Sequence, residues 1–95
     1  MAVRVFIERE IDPGNEIKLH NLLLKLRAKA IQARGYISGQ TLRSVDDPNR
    51  FLVISTWNSL EEWRNWENDP DRKAIQEEID KLLRVPSRVS VYVYE

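Results

Sequence analysis

The chain has 95 residues, of which 42% are hydrophobic and 32% are charged, a composition typical of a globular domain and not of a disordered or membrane-embedded segment. Fifteen basic residues balance fifteen acidic ones, so no net charge favours nucleic acid or an anionic membrane as a partner. The sequence has no cysteine, no signal-peptide pattern and no long apolar run. We therefore expect one cytoplasmic domain over residues 1–95.

The amino-terminal third is predicted to form a strand and an amphipathic helix. Apolar side chains recur at every second position from Val3 to Ile7, which predicts a strand over residues 3–10. Pro13 and Gly14 then supply a turn. Helical spacing predicts a helix over residues 16–34, whose main apolar face consists of Leu19, Leu22, Leu23, Leu26 and Ala30. A weaker apolar stripe on the opposite side indicates that this helix is covered on more than one side; it consists of Ile17, Leu24, Ala28 and Ile31.

Two further strands are predicted to form a hairpin. Gly35 is placed to end the first helix as a left-handed cap, and a strand follows over residues 36–45 with Gly39 as a candidate bulge. The turn sequence Asp-Asp-Pro-Asn then leads into a strand over residues 50–57.

The second strand of this hairpin has apolar residues on both faces. Phe51 and Val53 point to one face, whereas Leu52 and Ile54 point to the other. A strand of this kind is covered on both sides. Since the chain has too few elements to build a layer on each side, a second copy of the chain is the expected cover.

The remaining segment is predicted to form two helices and a last strand. Ser59 and Glu62 have the spacing of a capping box, in which each side chain satisfies a free amide of the other residue. Asp69 caps a third helix that has Pro70 at its first position and runs over residues 70–84. Alternating valines predict the final strand over residues 88–94.

The predicted element order is β-α-β-β-α-α-β, an elaborated split β-α-β arrangement. This order is that of the ferredoxin-like α+β fold, with a four-stranded antiparallel sheet and the helices on one face. Two chains that pack sheet against sheet would form a dimeric α+β barrel. We therefore expect a homodimer.

A resemblance to a known family is carried by the segment that begins at Gly35, GYISGQTLRSVDDPNRFLVISTWNSLEEWRNWENDPDRKAI. It resembles the central part of antibiotic biosynthesis monooxygenase (ABM) domains, in which Gly-Tyr precedes a strand and a later apolar strand ends in Trp, followed by Ser, Glu and a helical Trp. The likeness covers residues 35–83 in motif and the whole chain in element order. The resemblance implies the dimeric barrel. It admits several activities, among them cofactor-independent oxidation of aromatic polyketides, quinol oxidation and haem degradation.

The haem-degrading branch of this family can be tested against the sequence. It has an asparagine on the first strand and a histidine ten residues after the helical tryptophan. Here Trp66 occupies the tryptophan position, but Ile7 and Gln76 stand at the other two. Neither side chain replaces a histidine as a ligand of haem iron. The pattern argues against haem degradation, and no cofactor is expected.

The polyketide-oxidising branch is similar around the same tryptophan, with an asparagine one helical turn before it. Here Glu62 stands at that position, so its carboxylate would lie beside the Trp66 ring. In a dry site Glu62 would have a raised pKa and act as a general base toward a phenol or hydroquinone. Glu62 is also the third residue of the capping box, which gives it an alternative, purely structural role.

All three tryptophans of the chain fall between positions 57 and 66, and they are candidates for one wall of an apolar ligand site. Core packing is the alternative for each ring, chiefly for Trp63. The candidate catalytic residues are therefore Trp66 and Glu62. The candidate substrate-binding residues, which include polar groups able to hold a phenolate or carboxylate, are Trp57, Trp63, Arg72, Gln76, His20 and Arg43. Arg27 is a further polar candidate.

These observations leave three functions open. The first is a cofactor-independent monooxygenase that oxidises a planar aromatic or quinol-like molecule with O2. The second is a binding or stress-related module of the same fold without catalysis, and the third is an isomerase that transfers protons without oxygen. No metal is expected, because the sequence has no histidine pair and its acidic pairs resemble turn and solvated-helix charge.

Overall fold

The computed structural model describes residues Met1–Glu95 as a four-stranded antiparallel sheet with three helices packed on one face. In chain order the elements are β1 (Val3–Glu10), α1 (Glu16–Ala30), β2 (Tyr36–Arg43), β3 (Arg50–Trp57), α2 (Leu60–Glu67), α3 (Pro70–Asp80) and β4 (Arg88–Val93). The strands lie in the order β2-β3-β1-β4. This arrangement confirms the predicted ferredoxin-like α+β fold. None of the helices has the length and apolarity needed to cross a membrane.

The main core lies between the helices and the inner face of the two central strands. In the register of β1 and β3, Val3 is opposite Trp57 and Ile7 is opposite Val53. Alternation along the strands places these side chains on the helix-facing side. The buried members of this cluster are Val3, Val5, Ile7, Ala30, Trp57, Trp63 and Trp66. Much of the core is therefore built from the tryptophan-rich segment.

A second, smaller core closes the opposite end of the layer. Its buried members are Ile11, Leu19, Ile79 and Leu82. Ile11 forms an isolated antiparallel bridge with Leu83, so the chain just after α3 pairs with the chain just after β1. This second cluster ties α1 and α3 to the sheet at the far end of β1.

Two helices end earlier than the sequence predicts. Helix α1 stops at Ala30, because the following amides bond three residues back (Ala33 N to Ala30 O, 2.9 Å) and tighten the chain into turns. Gly35 has the predicted positive φ of +89°, but it lies beyond these turns and is not the cap. Helix α3 stops at Asp80, because the chain leaves it to pair with β1 (Arg84 N to Glu10 O, 2.9 Å).

The strands β2 and β4 also differ in detail from the prediction. Strand β2 ends at Arg43, where Ser44 Oγ accepts the amides of Asp46 and Asp47 and starts the turn. The register shift of β2 lies between Tyr36 and Ser38, so the expected bulge at Gly39 was wrong. Strand β4 ends at Val93.

Two apolar surfaces are uncovered in the single chain. The outer face of the sheet carries Phe6 and Tyr92, whose rings meet edge to face at 5.2 Å, beside a groove of about 470 Å³ that Leu52 also lines. The second surface is the outer stripe of α1, where Ile17 and Leu24 are exposed. The expectation that α1 is covered on more than one side stays a prediction, as does the dimer.

Candidate functional site

A cavity of about 60 Å³ lies between the inner face of the sheet and the helices. It is bounded by β1, β2 and β3 below and by α1, α2 and α3 above. Its lining residues are Ile7, Arg9, Leu23, Leu26, Arg27, Ala30, Tyr36, Gly39, Gln40, Thr41, Val53, Ser55, Trp57, Trp63, Trp66 and Arg72. The walls are mostly apolar, and the charged groups among them are all arginines.

The three tryptophans form one continuous aromatic wall. Trp57, at the end of β3, stacks on Trp66 with 6.2 Å between ring centroids and 23° between planes, and it meets Trp63 at 5.8 Å. Trp57 Nε1 donates to Ser55 Oγ at 3.1 Å, which fixes its ring. Trp63 and Trp66 come from α2, three residues apart and on one face of the helix. The cavity is thus walled by all three rings, including Trp63, for which core packing was the main expectation.

Tyr36 adds a fourth ring at the edge of the wall. It meets Trp57 edge to face with centroids 5.4 Å apart. Its hydroxyl lies over Gly39, where a Cβ atom would come within 2.6 Å of Tyr36 Oη. Glycine at position 39 therefore leaves room for the Tyr36 hydroxyl above the strand.

The other end of the cavity is cationic. Arg9 continues the inward-facing alternation of β1 and is only 1% exposed. Its Nη2 donates to Gln76 Oε1 at 2.7 Å, whereas Nε and Nη1 are buried without a hydrogen-bond partner. Burial, and next the positive charge of Arg72, lower the pKa of Arg9 to about 10, with Asp80 opposing the change.

Arg72 is held at this cavity by the start of α3. The Asp69 side chain accepts the amides of Asp71 (2.8 Å) and Arg72 (3.3 Å), which fixes the first turn of the helix. The Arg72 guanidinium lies 5.4 Å from the centroid of the Trp63 ring and donates to the Glu67 carbonyl at 3.4 Å. Burial lowers the pKa of Arg72 as well.

Of the polar residues proposed from sequence, Arg72 and Gln76 reach the cavity region. They lie one turn apart on α3, as predicted, with Arg72 in the lining and Gln76 bonded to Arg9 behind it. Arg27 of α1 also contributes to the lining. His20 is exposed on α1, and Arg43 is exposed on β2, where its Nε donates to the Pro48 carbonyl. The structure does not bring His20 or Arg43 to the cavity.

Glu62 lies outside the lining of the cavity. Its amide donates to Ser59 Oγ at 3.1 Å, and the Ser59 hydroxyl donates back to Glu62 Oε1 at the same distance. The carboxylate also lies over Gly35 and 3.7 Å from Arg34 Nε. These contacts support the structural role of Glu62. The role of general base stays a prediction that this geometry does not favour.

Arg9 is the site residue that the sequence reasoning missed. The signal was present, because the inward series Val3, Val5 and Ile7 continues to Arg9 at the same two-residue spacing. A charged residue on the buried side of a strand departs from the ordinary pattern. No group of three or more His, Cys, Asp or Glu side chains is placed to hold a metal ion.

Comparison with known families matches residues 2–78 to the family described as "Antibiotic biosynthesis monooxygenase". The chain belongs to the ABM family. The resemblance carried by the segment after Gly35 is therefore confirmed. Since the cavity is lined by residues between Ile7 and Arg72, the whole site falls within the part of this ABM domain that the family match covers.

Solved structures share the fold over the full length of this ABM chain. A conserved protein from Methanosarcina mazei Go1 superposes with a TM-score of 0.94 at 16% identity, covering 100% of this chain and 94% of the other. Rv0793 from Mycobacterium tuberculosis gives 0.90 at 18% identity, with 100% and 96% covered. SnoaB, a cofactor-independent oxygenase from Streptomyces nogalater, gives 0.86 at 16% identity, with 100% and 95% covered. Such low identities establish a common fold only.

One curated relative matches in sequence. Protein SchA from Streptomyces halstedii is 23% identical over 82 residues, which is 86% of this chain. The chain spans about a fifth of the length of that relative, since the match covers 22% of SchA.

Proposed function

We propose that this ABM domain is a cofactor-independent monooxygenase that binds a small planar aromatic or quinol-like molecule and oxidises it with O2. The observation that carries the proposal is one cavity that combines the wall of Trp57, Trp63 and Trp66 with the buried cation of Arg72. An aromatic wall binds a flat ring, and a guanidinium stabilises the oxygen anion that makes the ring electron-rich. Family membership and the fold shared with SnoaB, itself described as a cofactor-independent oxygenase, support the same chemistry.

The lining contains no carboxylate or imidazole to act as a general base. Arg72 instead favours ionisation of the substrate itself. A cation about 4 Å from a phenolate oxygen contributes on the order of 4 kcal/mol at an effective dielectric constant of about 20. That energy corresponds to a substrate pKa lowered by about three units. This attraction offsets the rise that burial causes in the pKa of a phenol, so a phenol that is already acidic in water would ionise in the cavity and release its proton to solvent.

The proposed reaction needs no oxidant other than O2. The anion passes one electron to O2, and the resulting radicals join at a ring carbon to form a hydroperoxide. Loss of water then leaves a carbonyl group at that carbon. For a phenol, one molecule of O2 gives one quinone and one water, with one oxygen atom in each product. Trp66 would contact the ring during this sequence, with Trp57 and Trp63 behind and beside it.

The size of the cavity limits the ligand. Its 60 Å³ holds a few water molecules, whereas drug-sized sites run to about 300–1,000 Å³. A single-ring quinol requires modest movement of the walls, and a polycyclic ligand requires much more. The small cavity and the lack of a base favour a second candidate, a module that binds an aromatic molecule without oxidising it.

The test is oxygen uptake combined with tryptophan fluorescence, using hydroquinones and anthrones of increasing size. Saturable quenching together with oxygen consumption supports the monooxygenase. Quenching without oxygen consumption supports the binding module, and conversion of the compound without oxygen uptake indicates proton transfer. If no compound changes the fluorescence, the tryptophans serve only the core and the proposal fails.

The homodimer is proposed to form through the outer face of the sheet. Phe6, Leu52, Ile54 and Tyr92 lie on that face, and Tyr92 remains 59% exposed in the single chain. Leu52→Glu would place a charge in the interface and give a monomer of 11.2 kDa in sedimentation, whereas the wild type is expected to sediment at twice that mass. Ile17→Glu on the exposed stripe of α1 is the control. A dimer that is lost with Ile17→Glu but kept with Leu52→Glu would place the interface on α1.

A further inference from the structure

The cationic end of the cavity has more hydrogen-bond donors than the protein satisfies. An arginine side chain has five N–H donors. Arg9 Nη2 donates to Gln76 Oε1 at 2.7 Å, whereas Arg9 Nε and Nη1 are buried without a hydrogen-bond partner. Trp63, which also lines the cavity, has a buried Nε1 without a partner. Each of these free groups is a donor, so the missing partner must be an acceptor.

Neither arginine at this end forms an ion pair with a carboxylate, although Asp80 acts electrostatically on both and Glu67 on Arg72. Arg9 and Arg72 both line the cavity, and no acidic side chain does. Asp80 accepts a hydrogen bond from Gln76 and not from either arginine, and the Glu67 carboxylate pairs with Arg64 at 3.0 Å. Two guanidinium groups thus share a buried site in which neither has a hydrogen-bonded carboxylate partner. Buried charges in proteins are normally paired, so the missing acceptor is expected to carry negative charge.

Two acceptors near the cavity, Ser55 and Gln76, are already engaged. Ser55 Oγ accepts from Trp57 Nε1, and Gln76 Oε1 accepts from Arg9. We propose that the ligand of this cavity carries an anionic oxygen on a planar ring, either a carboxylate or an ionised phenol, and that Arg9 binds that oxygen through its free N–H groups. The inference rests on the proposed function only in that the same cavity must admit a planar ring.

The strand register gives the ligand an orientation. On the inner face Trp57 is opposite Val3 at one end of β1, whereas Arg9 is opposite Phe51 near the other end. A ring held against the tryptophans therefore points its anionic substituent along β1 toward Arg9. Arg72 lies against Trp63, within reach of the same substituent.

Binding of benzoate and of its neutral counterpart benzamide tests the inference. Both are single rings of nearly equal size, and titration calorimetry with tryptophan fluorescence measures each. Benzoate is expected to bind about tenfold more tightly than benzamide, because only its oxygens accept charge-assisted hydrogen bonds without presenting a donor. 4-Nitrophenol tests the ionised phenol, since its absorbance near 400 nm rises when the cavity stabilises the phenolate.

Two variants assign the effect to Arg9. Arg9→Met is expected to abolish the preference for benzoate and the rise in 4-nitrophenolate absorbance. Lys73→Met removes one exposed positive charge from α3, next to Arg72, and is expected to change neither. If Arg9→Met does not fold, Arg9→Gln replaces it, with circular dichroism as the check on folding.

Each outcome is decisive. Preference for the anion that is lost with Arg9→Met supports the inference, and the two probes show whether a carboxylate or a phenolate is bound. Equal binding of benzoate and benzamide overturns anion recognition but leaves the aromatic site of the proposed function intact. A preference that survives Arg9→Met overturns the role of Arg9. If no probe binds, the inference and the aromatic site both fail.

Discussion

Replacement of Arg9 by methionine is expected to stabilise the protein while it removes anion binding. The pKa of Arg9 is about 10, whereas an arginine ordinarily stays protonated to well above pH 12. The fold therefore disfavours the charged form of this side chain. At about 1.4 kcal/mol per pKa unit, the charge on Arg9 lowers the free energy of unfolding by roughly 3 kcal/mol at neutral pH. Methionine keeps the apolar stem packed and removes the charge, at the cost of the hydrogen bond to Gln76, worth about 1 kcal/mol.

The net expectation for Arg9→Met is a gain of about 1–2 kcal/mol in the free energy of unfolding. For a chain of this size such a gain raises Tm by about 5–10 °C. The measurement is thermal and urea unfolding at pH 7, with Lys73→Met as the control. Because Lys73 is exposed, its replacement should change stability by no more than about 0.5 kcal/mol. A fall in Tm of several degrees for Arg9→Met would refute the reasoning, because it would show that the charge is well compensated in the folded state.

The lowered pKa of Arg9 also predicts how stability changes at alkaline pH. Above pH 10 the folded state loses the proton of Arg9 before the unfolded state does, so the unfolded chain binds more protons in that window. The stability of the wild type relative to Arg9→Met should therefore rise with pH above about 10. Below pH 10 the destabilisation by the charged Arg9 should be fully present. A stability difference between the two proteins that does not change with pH would contradict the assignment to Arg9.

The remaining predictions concern the tryptophan wall, the two glycines with positive φ, and Asp47. Trp66→Phe should lower oxygen uptake more than Trp63→Phe, and equal losses would mean that a different ring contacts the substrate. Gly35→Ala should lower the free energy of unfolding by about 2–3 kcal/mol in urea, because φ is +89° and a Cβ would lie 2.5 Å from the Glu62 side chain. Gly14→Ala is the control and should cost only about 1 kcal/mol, because φ is +91° but the space around it is open. Equal losses would exclude the contact with Glu62 as a cause. The hydrogen bond from the Asn49 amide, assisted by the side chain of Arg84, lowers the pKa of Asp47. The ionised Asp47 therefore stabilises the fold above its unfolded pKa of about 3.9, and this stabilisation is lost as pH falls through the folded pKa. Asp47→Asn should therefore flatten the fall of the urea midpoint below about pH 4, and an unchanged slope would exclude Asp47 as its source.

The fold could be predicted from sequence because local signals and periodicity agree along the chain. Alternating apolar residues mark β1, and a run with apolar residues on both faces marks β3, with the bounds that the structure has. Pro70 after Asp69 marks the start of α3. The end of α3 could not be predicted, because it depends on a distant pairing, Arg84 N to Glu10 O, and α1 ends in local turns that its apolar spacing does not show. Helix ends that are set by tertiary hydrogen bonds leave no local signal.

In the candidate site the sequence pointed to the aromatic half and to Arg72 of the cationic half, and Arg9 was missed. Trp57, Trp63 and Trp66 were expected together, and the structure places all three on one cavity. Glu62 was expected beside Trp66 from helical spacing alone. That spacing does not say on which side of α2 the sheet lies, and the structure turns the carboxylate toward Gly35. Arg9 was passed over, although the alternation of β1 already placed it on the inner face.

The sequence by itself determined the element order, the antiparallel sheet and the family, since each depends on periodicity or on a motif within one segment. Only the tertiary structure decided which side chains share the cavity, because Arg9, Trp66 and Arg72 come from three elements whose mutual placement no local pattern encodes. Burial depends on the same placement. A guanidinium at the surface would be one arginine among many, and its enclosure between sheet and helices is what turns Arg9 into a candidate for anion binding.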